Sequence, residues 1–422
     1  MIELLDVACK KSVISNGLEV ILYKNSNVPL VSVNIWYKAG TANEITGKSG
    51  LAHLFEHMMF QGSQNVPKEM HFKYIQEAGG TLNGSTSFDR TNYYEKLPSN
   101  FLELALWLES DRMGFFLPAV TQEKLDNQKD VVKNERLERY DNQPYGLAWE
   151  LIVKNLYPEN HPYSKPTIGF LKDIESYNLE DVIKFFQTYY SPNNASLVIA
   201  GDFDADNILE LVNKYFGEIR SNGLPQSPAL PTNHLNANKE IIYEDNVQLE
   251  RIYFAWPTVK VYHQDDAVLE IISDIISGSK NSRLYKKLVF EKELAQDVSA
   301  FQFSGKYGGH FMIVLTAKPG IMLDDLKKEV FDEVNQMIQS GVSAQDLVRT
   351  KNGIKSNFIY SLQNIDTLAD QLNMYNFYLN EPNSFYYDLS RYSHVDEIKV
   401  KEILKKYLLE PYLTLKIIPK KK

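Results

Sequence analysis

The sequence predicts an α+β protein of two tandem homologous domains, each a mixed, mainly antiparallel sheet packed against helices. Three observations predict it. Stretches of period-2 alternation are interleaved with amphipathic helical stretches in both halves of the chain. The run Asp181-Val182-Ile183-Lys184-Phe185-Phe186, followed by Tyr189 and Leu197, is echoed by Val400-Lys401-Glu402-Ile403-Leu404-Lys405-Lys406-Tyr407 and Leu415. The two Tyr and the two Leu are each 218 positions apart, as a duplication requires. Between the halves, 221–236 sets Pro225, Pro228 and Pro231 among Gly and Asn, the composition of a linker. The expected organisation is an N-terminal domain over 1–220, a linker over 221–236 and a homologous C-terminal domain over 237–422.

In chain order, residues 17–40 read as a hairpin. Leu18, Val20 and Leu22 alternate with polar positions, and Val31, Val33, Ile35 and Tyr37 do the same after the turn at Lys24-Asn25-Ser26-Asn27. A helix follows. Leu51, Leu54, Phe55, Met58 and Met59 fall at i, i+3, i+4, i+7 and i+8, with Ser49 able to cap its start and Gly62 to end it. A second helix, about Lys68–Ala78, stops at Gly79-Gly80. Thr81–Ser87 and Thr91–Glu95 form a second hairpin about Phe88-Asp89-Arg90. Its first arm is so poor in apolar residues that it is expected at a sheet edge, where an extended peptide can be added as a further strand. A plain solvent-facing strand is the simpler reading of the same pattern. Phe101–Phe116 and Thr121–Tyr140 read as amphipathic helices, Asp181–Phe186 as a helix and Ala195–Ala200 as a buried strand. In the second half Arg251–Trp256 answers Val31–Tyr37, and the helix Ala267–Ser277 after it contains no histidine.

Chemistry concentrates in His53-Leu54-Phe55-Glu56-His57. On a helix, positions i and i+4 share a face, so His53 and His57 can hold one metal ion. Glu56 lies about 60° to one side, within reach of a water in the metal's open position. Zinc with an open position lowers the pKa of water to roughly 7, and a neighbouring carboxylate can then act as general base. The chain has only eight His, so a chance match to this pattern is expected on the order of 10⁻² times. A third protein ligand is needed, commonly Glu. The charged helix 121–140 offers Glu123, Asp126, Asp130, Glu135 and Glu138, and spacing alone does not choose among them.

Composition narrows the partners. Of the 422 residues 44% are hydrophobic and 23% charged, which is ordinary for a globular chain with ample core. The net charge of −9 points neither to nucleic acid nor to an anionic membrane surface. The single cysteine, Cys9, excludes an internal disulfide and a Cys-rich zinc site. No apolar run approaches 18 residues and the N-terminus has no basic segment followed by an apolar one, so no membrane span is expected and the expected location is cytoplasmic.

His-x-x-Glu-His is the inverse of the commoner His-Glu-x-x-His zinc motif and marks the inverzincins. The sequence resembles the pitrilysin family, which includes insulin-degrading enzyme and the mitochondrial processing peptidases. The resemblance spans nearly the whole chain: Gly50–Phe60, Gly79-Gly80 with Asn83, Trp107-Leu108-Glu109-Ser110-Asp111-Arg112, Asn134-Glu135-Arg136, His161-Pro162-Tyr163 and Ile168-Gly169. It implies two homologous α+β domains forming half of a peptidase chamber, and a zinc metalloendopeptidase acting on unfolded peptides or presequences. It implies Glu135 as third zinc ligand, because 77 residues separate it from His57 and Val131-Val132-Lys133-Asn134 precede it; Glu138 is the weaker match. Many relatives carry a further Glu one or two turns earlier, where this chain has Gln128. It also implies Glu56 as base, and Asn83 and Gly84 as the substrate-binding edge. Complete enzymes of the family place an Arg and, seven residues later, a Tyr in the second half; Val289 and Gln296 stand there, and Arg283 and Tyr285 are spaced wrongly to replace them. The implied assembly is a heterodimer with a paralogous subunit that supplies the Arg and Tyr, with a homodimer as the alternative. A non-catalytic scaffold subunit is the competing function.

Overall fold

The computed structural model describes residues 7–420. They form two compact units. Among the described residues the first comprises 7–135, Lys165–Pro228 and Ile359–Tyr386; the second comprises Arg136–Ser164, Ala229–Phe358 and 387–420. No described helix is long and apolar enough to cross a membrane.

In the first unit six strands, β1 (Lys10–Val13), β2 (Glu19–Lys24), β3 (Leu30–Tyr37), β4 (Thr81–Thr86), β5 (Thr91–Pro98) and β6 (Ala195–Gly201), are ordered β1-β2-β6-β3-β5-β4. The expected hairpin of β2 with β3 does not form. β6 lies between them, parallel to β2 and antiparallel to β3. The physical reason is burial: all seven residues of β6 are buried, and a strand covered on both faces belongs in the middle of a sheet. The β2–β3 loop then arches over the end of β6, with Asn25 N–H donating to Gly201 O (2.8 Å) and Asp202 N–H to Leu30 O (2.9 Å). The β4–β5 hairpin forms with the expected turn, and β4 is the sheet edge.

One face of this sheet is apolar. Val33, Ile35, Tyr93, Leu197 and Ile199 are fully buried there, on the side of the helices α1 (Leu51–Met58), α2 (Met70–Glu77), α3 (Leu102–Phe115) and α4 (Gln122–Arg136). The opposite face is polar and receives the helix Ile365–Leu379. Asn34, Trp36 and Asn92 all donate to Asp370 Oδ1 (3.2, 2.8 and 3.1 Å), and Ser196 Oγ donates to Asn373 (2.5 Å). α3, expected as an amphipathic helix, is buried on its charged side as well as on its apolar one. Glu109, Asp111 and Arg112 are buried, and Arg112 is enclosed by Glu109 and Glu95 with its guanidinium over the Tyr93 ring at 4.2 Å. Arg112 pairs with the two glutamates, and Asp111 accepts from the Ser63 hydroxyl and from Asn65 Nδ2 (2.6 Å), so the helix can bury its polar side; removing one member of the buried ion-paired group costs about 3–5 kcal/mol.

The second unit repeats the plan with β7 (Lys239–Asp245), β8 (Arg251–Thr258), β9 (Ala295–Gly305), β10 (Gly308–Ala317) and β11 (Leu413–Pro419), ordered β7-β11-β8-β10-β9. The duplication is visible in register. Ile35 pairs with Leu197 in the first sheet and Tyr253 with Leu415 in the second, so both partners are shifted by the same 218 positions. Phe254, Trp256, Ile272, Phe311, Leu326 and Ile403 lie in the core of this unit. Its sheet packs against α5 (Ala148–Leu156), a helix from the first half of the chain, just as the first sheet takes Ile365–Leu379 from the second half. Val289 packs against the core of the second unit, and Gln296 is exposed on its edge strand β9.

Candidate metal centre

The metal-bearing helix is held at both ends by groups far from it in sequence. α1 begins at Gly50, whose φ of 85° is open to glycine at little cost. A Cβ at Gly50 would lie 2.5 Å from Ile168 O, so the Ile168-Gly169 segment clamps this turn. Ser49 does not cap the helix. Its hydroxyl donates to Asp173 (2.5 Å) and accepts from Phe170 N–H (2.9 Å). The cap is the Glu44 carboxylate, which accepts from Gly50 N–H (2.9 Å) and Ala52 N–H (2.8 Å), two donors left over at the start of the helix. Burial pushes the Glu44 carboxyl up, to about 8, against the pull of those two donors. Phe55 anchors the inner face, its ring centroid 4.3 Å from Tyr190, 5.2 Å from Phe116 and 5.5 Å from Phe185. The helix itself ends at Met58, four residues before Gly62.

With α1 fixed, His53 and His57 stand side by side, ring centroids 4.8 Å apart. α4 brings Glu135 Oε2 to 3.3 Å from His57 Nε2 and 3.9 Å from His53 Nε2. One ligand atom from each of the three lies within 4.8 Å of the others. Tetrahedral zinc with bonds of about 2.0–2.1 Å sets its ligands about 3.3 Å apart, so two imidazoles and one carboxylate at these distances fit that ion. Of the acidic side chains on this helix, Glu123, Asp126 and Asp130 are exposed, as is Glu138 just beyond its end, whereas Glu135 is partly buried facing the two histidines. Gln128 is buried and bonds Asn127 Oδ1 (3.0 Å).

Glu56 projects toward β4. Thr86 Oγ1 donates to its Oε2 at 2.6 Å. Burial raises the Glu56 carboxyl, with the Thr86 hydrogen bond and His57 pulling it back. A carboxylate raised toward neutrality is a better proton acceptor there. Gly84 lies directly against it: a Cβ at Gly84 would sit 3.2 Å from Glu56 Cγ, from Oε1 and from Phe60 Cε2. In the β4–β5 ladder Ser87 N–H donates to Arg90 O (2.9 Å), so hydrogen-bonded pairs alternate from 87/90 through 85/92 and 83/94. Leu82, Gly84 and Thr86 therefore turn their backbone groups to the open edge. The outward Gly84 N–H is taken by Asn83 Oδ1 (2.9 Å).

Residues 19–169 match the family model described as insulinase (peptidase family M16), and 176–354 match that described as the peptidase M16 inactive domain. The chain belongs to the M16 peptidase family. Among its M16 relatives are the zinc protease PqqE of Helicobacter pylori, 28% identical over 84% of this chain and 80% of the relative, and the zinc protease YmxG of Bacillus subtilis, 24% identical over 85% of each. The mitochondrial-processing peptidase subunit beta of Bos taurus is 23% identical over 85% of this chain and 74% of its own. The crystal structure of a protease from Helicobacter pylori superposes with a TM-score of 0.90, at 26% identity, covering 98% of this chain and all of the other.

Two residues of this M16 site escape a reading of the sequence. Glu44 is a carboxylate six positions before Gly50, and nothing local marks it as a cap. Thr86 is recoverable once Gly84 is set against Glu56, because strand residues two apart share a face. One expected result follows for Gly84. Replacement by Ala forces Glu56 or Phe60 to give by a few tenths of an ångström, and we expect zinc content unchanged with turnover about tenfold lower. Metal analysis and steady-state kinetics of Gly84→Ala check this; unchanged turnover would show that Glu56 has slack in this direction.

Proposed function

We propose that this chain is a zinc-dependent endopeptidase that hydrolyses peptide bonds in unfolded peptides or presequences, within a chamber completed by a paralogous subunit. The observation that carries the reading is the convergence of His53, His57 and Glu135 beside Glu56, against an open strand edge. A zinc ion held by His53 Nε2, His57 Nε2 and the Glu135 carboxylate would acidify water and polarise a carbonyl. Glu56 takes the proton of the attacking water and hands it to the departing amine. β4 aligns the substrate backbone: an extended peptide laid along Leu82–Thr86 meets outward backbone groups there, and the Asn83 side chain can exchange its bond to Gly84 N–H for one to the peptide.

The partner is argued from Val289 and Gln296. Neither is a cation, and Val289 has no side-chain donor with which to hold a carbonyl oxygen or a developing oxyanion. A subunit lacking the His-x-x-Glu-His motif would bring the Arg and Tyr of the resemblance. The scaffold alternative draws on the match of 176–354 to the family's inactive domain; the assembled ligand set of the first unit supports catalysis instead.

The test is hydrolysis of a quenched, unstructured peptide by zinc-loaded chain, alone and with its paralogue. A stable folded domain containing the same sequence is assayed alongside. We expect weak cleavage by the chain alone, strong cleavage with the paralogue, and sparing of the folded domain. Equal rates on folded and unfolded substrates would refute the chamber. Full activity alone, unaffected by Gln296→Ala, would refute the partner. No cleavage of any peptide by the zinc-loaded pair would leave the scaffold function.

A further inference from the structure

β4 does more than offer an edge. Gly84 and Thr86 occupy the same face of the strand, two residues apart, and both touch Glu56: Gly84 leaves room for Cγ and Oε1, while the Thr86 hydroxyl meets Oε2 at 2.6 Å. The direction of that hydrogen bond is determined by its surroundings. Thr91 is the cross-strand neighbour of Thr86, with the two hydroxyl oxygens 3.4 Å apart. Thr91 spends its own proton on Ala39 O (2.9 Å), an atom that can only accept. Thr86 has one hydroxyl proton, and an ionised Glu56 can only accept.

We propose that Thr86 is a positioning residue for the reaction: it pins Oε2 of Glu56 to the edge strand and so presents Oε1 as the atom that takes the proton from water. The inference rests on the reading of Glu56 as general base. Its physical content is a shared frame. One three-residue stretch, Gly84–Thr86, holds the base from one side and offers its backbone edge to the peptide on the other. The distance between base and scissile carbonyl is then set within a single strand rather than across several flexible elements, and effective positioning of this kind governs turnover more than binding. A charge-assisted hydrogen bond is also among the stronger restraints available to a carboxylate. The proton balance is simple: water gives one proton to Oε1, Thr86 keeps its own proton and continues to donate to Oε2.

The experiment compares Thr86→Val, Thr86→Ala and Thr86→Ser in the full zinc-loaded chain with the wild type, each assayed with the paralogue present, on an unstructured quenched peptide. Val preserves shape and suits a strand; Ala removes the hydroxyl in a different packing; Ser restores the hydroxyl alone. We expect each variant to bind one zinc with KM within about twofold of wild type. For Val and Ala we expect kcat lower by about 10- to 100-fold, with Ser recovering most of the loss. A residue that only stabilised the strand would affect zinc content or melting temperature before kcat, and Ser would not rescue it selectively. Wild-type kcat in Thr86→Val or Thr86→Ala, or a Ser variant as slow as Val, would overturn the proposal. Glu56→Gln run in parallel separates the two layers. If it keeps its turnover, the base assignment fails; if it is inactive while Thr86→Val is unimpaired, the positioning role alone fails.

Discussion

Replacing Glu56 by Gln is expected to leave zinc bound and to lower peptide hydrolysis by at least about 10²-fold. The side chain keeps its length and can still accept the Thr86 hydrogen bond through its amide oxygen. What it loses is the basic oxygen. Because Glu56 is not one of the three converging ligands, metal analysis should report the same stoichiometry as wild type. Zinc retained together with near-normal turnover would remove Glu56 from the mechanism. Loss of zinc in this variant would mean that the side chain supports the ligand set rather than the water.

Replacing His53 by Ala is expected to cost most of the bound zinc and nearly all activity. The same holds for His57→Ala and Glu135→Ala. With His53 gone only His57 and Glu135 remain, 3.3 Å apart, and two protein ligands do not complete a catalytic zinc site. Fold should survive, since α1 is held by Phe55 among Tyr190, Phe116 and Phe185 and by the Glu44 cap, none of which involves the imidazole. The discriminating measurement is zinc content by elemental analysis beside a melting curve. Full occupancy in His53→Ala would contradict the ligand assignment.

The parts of this site that were legible in the sequence are those set by local period. His53, Glu56 and His57 lie within five residues of one helix, and helical geometry alone places the two imidazoles together. The β4–β5 hairpin is legible for the same reason, because turn chemistry and alternation are local. Glu135 is different. Five carboxylates share its stretch of chain; spacing alone does not choose among them, the family resemblance points to Glu135, and the packing, which leaves the other four exposed, brings Glu135 to the two histidines. β2 and β3 read as a hairpin since both alternate and a turn joins them. Their true neighbour β6 lies more than 150 residues further on, and no local signal announces that a strand buried on both faces will enter between them. The N-terminus of α1 shows the same limit. Ser49 stands where a cap is expected, but Asp173 and Phe170 engage its hydroxyl and Glu44 takes the free N–H groups. The charges of α3 are buried through partners distant in sequence or hidden by packing, Arg112 with Glu95 and Glu109 and Asp111 with Ser63 and Asn65, and no local pattern announces that burial.

The central claim is that one zinc ion, held by His53, His57 and Glu135, makes this M16 chain a peptidase. It is tested most directly by stripping the chain, with its paralogue present, of metal and titrating zinc back while following both bound zinc and hydrolysis of an unstructured peptide. The account predicts no turnover without metal, and turnover rising in proportion to bound zinc until one ion per chain is reached. Full turnover by the metal-free chain, or zinc bound one per chain without any hydrolysis, would contradict it.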